Sequence, residues 1–336
     1  MKYSFIVPVF NRPDEVDELL ESLCSQTLKD FEVVIVEDGS QKPCKDVCDK
    51  YADILDLHYY LKENSGPGQS RNYGVERAQG EYVIILDSDV VLPEGYLRNV
   101  NSNVELVAFG GPDAAHPSFT PVQKAISYSM TSFFTTGGIR GGKAKLDKFY
   151  PRSFNMGIRR DVYQQLGGFS KMRFGEDIDF SYRIVEAGYK PRLFPDAWVW
   201  HKRRTDFRKF FRQVYNSGIA RINLEKRHPG TMKLVHLLPT VFTLGVIGCL
   251  LLSILALLSP LTTHYSPQFL LPLLLYSLII FIDSSLRNRS LWVGLLSIPA
   301  AFVQLMGYGL GFIESWWKRC ILKQDEFTAF EKNFYK

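Results

Sequence analysis

Cysteine is scarce in this sequence, and its thiols are not spaced as a disulfide framework or a zinc site. The 336-residue chain has five cysteines. Cys44 and Cys48 lie close together, but no second Cys/His pair follows them at zinc-finger spacing. The first apolar run, residues 4–10, is too short for a signal-peptide core and lacks a small-residue cleavage site. We therefore expect reduced structural thiols and a front part that stays in the cytosol.

Charge is absent from two long blocks in the last third of the chain. Residues 234–282 and 291–313 contain no Asp, Glu, Lys or Arg. Stretches of this length can cross the roughly 30 Å hydrocarbon layer of a membrane as helices. We predict a transmembrane region over residues 234–315, with helices at about 234–258, 268–286 and 291–313. A basic and aromatic tail is predicted over residues 316–336.

The charges that flank these helices indicate an orientation. Arg287 and Arg289 follow the second helix, and the positive-inside tendency puts them on the cytosolic side with the front part. We expect a multi-pass protein of the inner (cytoplasmic) membrane whose front part faces the cytosol. The third segment either spans the membrane or is re-entrant, because crossing would carry Lys318 and Arg319 to the opposite side.

Acidic residues are nearly absent from the segment before the first apolar block. Residues 202–233 hold ten Lys or Arg and only two acids, a net charge of +8. Phe207, Phe210 and Tyr215 recur among these charges at helical spacing. We predict a basic amphipathic segment over 203–233 that lies on an anionic membrane surface. A solvated basic face packed on the sheet is the alternative, and nucleic acid is not expected as a partner because the basic run adjoins lipid-soluble sequence.

The front part alternates between the patterns of strands and helices. Residues 4–10, 31–36 and 82–86 are apolar, β-branched runs typical of buried strands, and residues 13–25 carry a helical stripe. This alternation predicts an α/β fold with a mostly parallel sheet flanked by helices. Ligands bind beyond the carboxyl ends of the strands in such sheets. Residues 113–150 show no regular period, and we predict a mobile loop there.

Two aspartates follow the third apolar run, as Asp87-Ser88-Asp89. Carboxylates at positions i and i+2, where a strand breaks into a turn, can both face a hard divalent cation. Mg²⁺ or Mn²⁺ would in turn bind diphosphate oxygens. An isolated acid-x-acid triplet is usually a solvated turn, so its position at the end of a strand carries the interpretation.

Two further acidic pairs come at element ends. Glu37-Asp38 follows the second run, and Gly39 permits a tight turn there. A carboxylate at this place can accept hydrogen bonds from a base or from ribose hydroxyls. Glu176-Asp177 enters a helix predicted over 177–187, where acids either suit the helix dipole or leave one carboxylate able to take a proton from a hydroxyl.

Glycine is missing from the turn after the first strand, which reads Phe10-Asn11-Arg12-Pro13-Asp14. A sugar nucleotidyltransferase or a dinucleotide-binding enzyme would place a glycine-rich phosphate loop there. Both classes are therefore disfavoured.

The order of the motifs resembles glycosyltransferase family 2 over about residues 3–201. The motifs that carry the resemblance are Val7-Pro8-Val9-Phe10-Asn11-Arg12, Val36-Glu37-Asp38-Gly39-Ser40, Asn64-Ser65-Gly66-Pro67 with Arg71-Asn72-Tyr73-Gly74, Leu86-Asp87-Ser88-Asp89, Gly167-Gly168-Phe169 and Gly175-Glu176-Asp177. The resemblance implies a GT-A fold, a catalytic nucleotide-sugar-binding domain over residues 1–202, a divalent metal and inversion at the anomeric carbon.

The resemblance also implies roles for individual residues. Asp177 would be the catalytic base, with Glu176 beside it. Metal ligands would be Asp87 and Asp89, with His201 as a third. The residues implied in nucleotide-sugar binding are Pro8, Phe10, Arg12, Glu37, Asp38, Arg71 and Asp87.

The implied substrates are a nucleotide-sugar donor, with UDP-sugars favoured on family grounds, and a lipid-linked or glycan acceptor at the membrane. Glu37-Asp38 replaces the commoner pair of aspartates, which leaves open which carboxylate contacts the base. Processive members carry Gln-x-x-Arg-Trp, whereas Gln213 is followed here by Asn216 and Ser217, so a non-processive enzyme is expected. The alternative is a catalytically inactive nucleotide-sugar-binding scaffold in a membrane complex that assembles glycans.

Overall fold

The computed structural model describes residues 1–102, 106–116, 118–137, 149–258 and 268–330. The described chain divides into two compact units, one formed by Met1–His116 with Lys145–Lys202 and the other by Pro117–Ala144 with Arg203–Lys336. The strands are β1 (Tyr3–Val9), β2 (Phe31–Asp38), β3 (Leu57–Lys62), β4 (Tyr82–Leu86), β5 (Val90–Val91), β6 (Ala108–Gly110), β7 (Asp113–Ala114), β8 (Asn155–Arg159), β9 (Arg192–Leu193) and β10 (Val199–His201). The helices are α1 (Pro13–Cys24), α2 (Lys45–Tyr51), α3 (Pro67–Arg77), α4 (Tyr96–Asn101), α5 (Pro121–Thr131), α6 (Phe133–Thr136), α7 (Arg160–Gln165), α8 (Glu176–Glu186), α9 (Phe207–Arg227), α10 (Leu238–Leu258), α11 (Leu271–Asn288) and α12 (Leu291–Trp316).

The described strands of the first unit form a seven-stranded sheet in the order β3-β2-β1-β4-β8-β6-β9. Strands β3, β2, β1 and β4 run parallel, and β8 is antiparallel to both β4 and β6. Alternate residues of β1 point to opposite faces. Phe5 belongs to the apolar core on one face, whereas Ile6 belongs to the core on the other. The predicted mostly parallel sheet with helices on both faces is therefore confirmed.

A smaller sheet lies in the same unit, and its order within the described residues is β5-β10-β7. Strand β10 is antiparallel to β5 and parallel to β7. Both partner strands of β10 begin at or just after an aspartate. Asp89 directly precedes β5, and Asp113 is the first residue of β7. The small sheet therefore gathers three segments that lie far apart in the sequence.

The loop predicted over residues 113–150 is helical in part, so that prediction is wrong for α5 and α6. Thr120 begins α5 with a capping box, in which its hydroxyl and the Gln123 side chain each bind the other residue's backbone N–H. Ala125, Ile126 and Met130 of α5 pack in apolar clusters with residues of other helices in the second unit. Residues 138–148 of the predicted loop lie outside the described residues.

Three helices among the described residues are long and apolar enough to cross a membrane, over Leu234–Leu258, Gln268–Asn288 and Leu291–Ile321. The first two expose most of their leucine side chains, whereas about half of the third is buried. Helices α11 and α12 form a hairpin whose turn contains Arg289 with φ of +51°. These helices support association of the chain with a membrane.

Helix α9 occupies most of the segment predicted to be basic and amphipathic. Phe210 packs in an apolar cluster with Ile126 and Met130 of α5. Arg212 and Arg221 are buried, at 7% and 5% exposure. A Cβ atom on Gly218 would lie 2.1 Å from the backbone oxygen of Tyr308, so glycine permits the close approach of α9 to α12. The helix is therefore more enclosed than its charge suggests.

Residues 322–330 lie along α9 and are held by a buried amide. Asn216 donates from Nδ2 to the backbone oxygen of Ala329 over 3.0 Å and accepts from the Ala329 N–H over 2.9 Å. Arg227 binds Glu326 at 2.8 Å, and the Phe330 ring contacts that of Tyr215. Residues 331–336 of the predicted tail lie outside the described residues.

Candidate active site

The pairing of β5 with β10 brings His201 to the acidic turn after β4. Strand β4 is wholly buried, and Asp87 is the first residue beyond it. His201 lies opposite Val90 in the antiparallel ladder, and the N–H of Lys202 donates to the backbone oxygen of Asp89 over 3.0 Å. Backbone register thus fixes the histidine beside the aspartates, although more than a hundred residues separate them in the sequence.

Asp87, Asp89 and His201 form a group of possible metal ligands. One ligand atom from each lies within 4.8 Å of the others. His201 Nε2 is 3.2 Å from Asp89 Oδ1 and 3.9 Å from Asp87 Oδ2. Phe154 stacks on the imidazole with 5.0 Å between ring centroids. The structure therefore brings together the three residues that the sequence analysis proposed as metal ligands.

An arginine holds the other oxygen of each aspartate. Arg71 Nη2 lies 2.7 Å from Asp87 Oδ1, and Arg12 Nη1 lies 2.5 Å from Asp89 Oδ2. The oxygens that these arginines do not hold are the ones turned toward His201. Two carboxylate oxygens and one imidazole nitrogen are a donor set that suits a divalent cation such as Mn²⁺. The residues present therefore fit a divalent metal.

Arg71 joins the metal-site aspartate to the acidic start of α8. Its second guanidinium nitrogen, Nη1, binds Glu176 Oε1 at 2.9 Å. Burial acts to lower the pKa of Arg71, but the neighbouring carboxylates of Asp87 and Glu176 raise it above its ordinary value. The guanidinium is 4% exposed as a side chain. Arg71 thus bridges two carboxylates and Arg12 holds a third, and the nucleotide-binding role of both arginines stays a prediction.

Asp177 lies in the first turn of α8 with both oxygens engaged. Oδ2 accepts from Arg152 Nε over 2.6 Å, and Oδ1 accepts from the Ile178 N–H over 2.8 Å. Burial acts to raise the pKa of Asp177, but the Arg152 guanidinium outweighs it, so the pKa lies below the usual aspartate range. Burial raises the pKa of neighbouring Glu176, against the effect of Arg71. The lowered pKa keeps Asp177 ionised at neutral pH.

Glu37 and Asp38 both support loops. The buried Glu37 carboxylate accepts from the Cys44 N–H over 2.7 Å and from the Ser40 hydroxyl. Asp38 accepts from the N–H groups of Ser65 and Gly66, each over 2.9 Å, and its Oδ1 also binds Lys62 at 2.6 Å. Which of the two carboxylates contacts a nucleotide base stays open.

Pro8 lies within β1 and Phe10 directly after it, and both are half-buried. The next residue, Asn11, has a left-handed φ of +56°. Its N–H donates to Ser40 Oγ over 2.7 Å, and its Oδ1 accepts from the N–H of Gln41 over 2.7 Å. Asn11 thus joins the loops that follow β1 and β2. The sequence analysis missed this role, although asparagine tolerates a left-handed turn better than most residues.

Asp113 and Arg152 also belong to the site and were not predicted. Arg152 binds Asp177, and Asp113 Oδ2 lies 3.9 Å from His201 Nδ1. Neither residue stands in a motif typical of a catalytic or metal site. Asp113 follows Gly111-Pro112, and Arg152 lies shortly before β8.

Asp179 and Arg183, four residues apart on α8, form an ion pair at 3.1 Å. Asp179 is 3% exposed. Arg183 also donates to the backbone oxygens of Leu166 and Gly168, each over 2.6 Å. These bonds hold α8 against the Gly167-Gly168 turn.

Comparison with known proteins identifies a matching family model and several relatives. Residues 4–167 match the family model described as Glycosyl transferase family 2. A pre-mycofactocin glycosyltransferase of Mycobacterium tuberculosis is 27% identical over 247 residues, which cover 67% of this chain and 47% of that protein. Glycosyltransferase AglE of Haloferax volcanii is 26% identical over 240 residues, which cover 66% of this chain and 73% of that protein.

A solved structure shares the fold. It is a mannosyltransferase from Pyrobaculum calidifontis in complex with GDP-Man and Mn²⁺, with a TM-score of 0.59, 15% identity, and coverage of 95% of this chain and 88% of that one. The chain spans about half the length of the mycobacterial relative, at 47%. The match over residues 4–167, the glycosyltransferase relatives and the shared GT-A fold together show that this part of the chain is a glycosyl transferase family 2 domain.

Proposed function

We propose that this chain is an inverting, metal-dependent and non-processive glycosyltransferase. It would move a sugar from a nucleotide diphosphate sugar, with a UDP-sugar favoured, onto a lipid-linked or glycan acceptor at a membrane. The observation that carries the proposal is the group of Asp87, Asp89 and His201, in which an arginine holds one oxygen of each aspartate and the other oxygen is turned toward the imidazole. A solvated turn would not need this arrangement.

On the donor side, Asp87, Asp89 and His201 would hold the cation. When bound, the cation neutralises charge on the departing diphosphate. Arg12 and Arg71 keep the two carboxylates oriented, because each guanidinium fixes one oxygen of one carboxylate. Positioning of this kind lowers the barrier, since the groups do not reorganise during the reaction.

On the acceptor side, Asp177 would be the general base. A hydroxyl has a pKa far above that of a carboxylate, so Asp177 takes the proton as the new glycosidic bond forms and not before. Arg152 keeps Asp177 ionised and orients it through the 2.6 Å bond. A single attack on the face opposite the leaving diphosphate inverts the anomeric carbon.

The apolar helices supply the membrane part of the proposal. We place the chain in the inner membrane as a multi-pass protein whose sheet-containing unit faces the cytosol. Arg208, Lys226 and Arg227 of α9 are exposed, and these cations would face anionic headgroups. A lipid-linked acceptor would then be presented at the same surface.

A donor screen tests the proposed activity. The full chain, purified in detergent, is incubated with a panel of UDP- and GDP-sugars and Mn²⁺ or Mg²⁺, and release of the nucleoside diphosphate is measured. Release from one donor by the parent chain, but not by Asp89→Asn, supports the proposal. Binding of a nucleotide sugar without release, in the presence of membrane extract as acceptor, would indicate the inactive scaffold instead.

A further inference from the structure

The imidazole of His201 has a second nitrogen that the proposed metal site does not use. Nε2 is the nitrogen turned to Asp87 and Asp89, at 3.9 and 3.2 Å. Nδ1 is buried and has no hydrogen-bond partner among the described residues. A carboxylate oxygen, Asp113 Oδ2, lies 3.9 Å from it. Asp113 is partly buried, with 23% of its side chain exposed.

The small sheet places Asp113 on the same face as His201. Strand β10 pairs in parallel with β7, so that Val199 lies opposite Asp113 and Trp200 opposite Ala114. Side chains alternate along a strand, so Val199 and His201 share one face, and Asp113 lies on that face beside them. The Val199 N–H donates to the Pro112 oxygen over 3.1 Å. One short strand therefore fixes His201 between the acidic turn and Asp113.

The chemistry of a ligating imidazole gives this placement a consequence. A histidine binds a metal through a nitrogen that carries no proton, so its one proton must lie on the other nitrogen. A carboxylate that accepts this proton in a hydrogen bond fixes the tautomer and the ring orientation, and makes the ligating nitrogen more basic. For His201 this requires the proton on Nδ1, on the side of Asp113.

We propose that Asp113 is a positioning residue of the metal site, which orients His201 and keeps Nε2 free of a proton so that it can ligate a divalent cation. This inference rests on the proposed function, since it assumes that His201 is a ligand.

Asp113 has a second charged neighbour, and this gives a rival explanation for any effect of its loss. Burial acts to lower the pKa of Arg152, but the carboxylates of Asp177, Glu176 and Asp113 raise it. Removal of Asp113 could therefore act through Arg152 on the proposed base. That route changes the transfer rate and leaves cation affinity unchanged, whereas the route through His201 changes cation affinity itself.

Cation binding to the full chain in detergent separates the two routes. Binding of Mn²⁺ is followed by the loss of the electron paramagnetic resonance signal of free Mn²⁺, for Mn²⁺ alone and again with UDP. We expect Asp113→Leu to weaken Mn²⁺ binding about 10- to 100-fold. Asp113→Asn should weaken Mn²⁺ binding less, because its amide oxygen can still accept a hydrogen bond from the Nδ1–H of His201. Asp196→Leu, an exposed residue of the same unit, is the matched control and should bind as the parent does.

A double-mutant cycle then assigns the effect to the histidine. In a His201→Ala background, Asp113→Leu should cause no further loss of Mn²⁺ affinity, because the group that Asp113 orients is gone. Equal losses in both backgrounds would overturn the inference. Unchanged Mn²⁺ affinity in Asp113→Leu and Asp113→Asn would also overturn it and would leave the proposed function standing. Failure of the parent chain to bind Mn²⁺, even with UDP, would overturn the metal site and this inference together.

Discussion

Arg152 donates from Nε to Oδ2 of Asp177 across 2.6 Å, in the first turn of α8. The first turn of α7 repeats the pattern at the surface of the same unit. There Asp161 binds Arg159, and its Oδ1 accepts from the N–H of the next residue over 2.8 Å, as Asp177 Oδ1 does from Ile178. The two aspartates differ mainly in burial, since Asp177 is 10% exposed as a side chain and Asp161 is 61% exposed. The chain thus contains its own control for the proposed base.

Asp177→Asn should lower the transfer rate about 10²- to 10⁴-fold, the usual effect of losing a general base. An asparagine keeps the size of the side chain and the bond to the Ile178 N–H, but it cannot accept the proton. Asp161→Asn should leave the rate unchanged. The measurement is the initial rate of transfer together with donor affinity, which should stay near the parent value in both variants. Equal losses of rate in the two variants would exclude Asp177 as the base.

Arg152→Gln should move the acidic limb of the pH–rate profile to higher pH. Burial acts to raise the pKa of Asp177, and Arg152 is the largest of the groups that oppose this effect and hold the pKa below its usual range. A nearby arginine lowers an aspartate pKa by about 1–3 units, so the limb should rise by a similar amount. Arg152→Lys keeps the charge and should restore most of the shift. The measurement is kcat/KM against pH, and an unmoved limb would assign it to another group.

The same pair also affects stability, and the sign follows from the lowered pKa. A depressed folded-state pKa means that Asp177 stabilises the fold above the unfolded aspartate pKa, about 3.9, and that this contribution is lost as pH falls through the folded value. Arg152→Gln should therefore narrow the difference in melting temperature between pH 7 and about pH 2, which lie on either side of that window. The check is thermal unfolding at both pH values.

Removal of the divalent cation should abolish transfer. EDTA should stop the reaction and added Mn²⁺ should restore it, because the two aspartates cannot neutralise the diphosphate without a cation. Asp89→Asn should lose almost all activity at every Mn²⁺ concentration. Asp49→Asn, which removes an exposed aspartate paired with Lys45, is the control and should respond as the parent does. Full activity in excess chelator would contradict the metal role.

Arg71→Met should destabilise the chain as well as inactivate it. The guanidinium is buried between Asp87 and Glu176, and loss of one partner of a buried ionic group costs about 3–5 kcal/mol, because it leaves buried charge uncompensated. Arg71→Lys should recover only part of the lost stability, since one ammonium group cannot bind both carboxylates as the planar guanidinium does. Lys45→Met, which breaks an exposed pair, should hardly change the melting temperature. A nucleotide-binding role alone would lower donor affinity and leave the melting temperature unchanged.

The sheet and its helices could be predicted because their sequence periods match their environment. The continuous apolar run of β4 is buried on both faces, and the apolar stripe of α1 packs on one core. Each sequence pattern therefore indicated one type of element. Helix α5 was missed because its buried side includes Gln123 and Ser129. Their polar groups are satisfied by bonds to backbone atoms, which hydrophobic periodicity does not detect.

The candidate site could be predicted only in part, for a related reason. Acids at the ends of β4 and at the start of α8 are visible in the sequence, because the element end itself limits where they can point. The partners of these acids depend on contacts across long separations, such as the 105 residues between Arg71 and Glu176. An arginine gives no local sign of which carboxylate it will hold. For this reason the sequence did not predict that Arg12 and Arg71 hold the aspartates, or that Arg152 and Asp113 belong to the site.

The amide of Asn216 has a consequence for the order in which the second unit is completed. Its partner, Ala329, follows it by 113 residues, and Asn216 is fully buried once they pair. At a synthesis rate of about 5–20 residues per second, Asn216 leaves the ribosome roughly 6 to 20 seconds before Ala329 does. All three apolar helices emerge in that interval. The enclosure of α9 by residues 322–330 is therefore finished only after the sequence of all three apolar helices has been made.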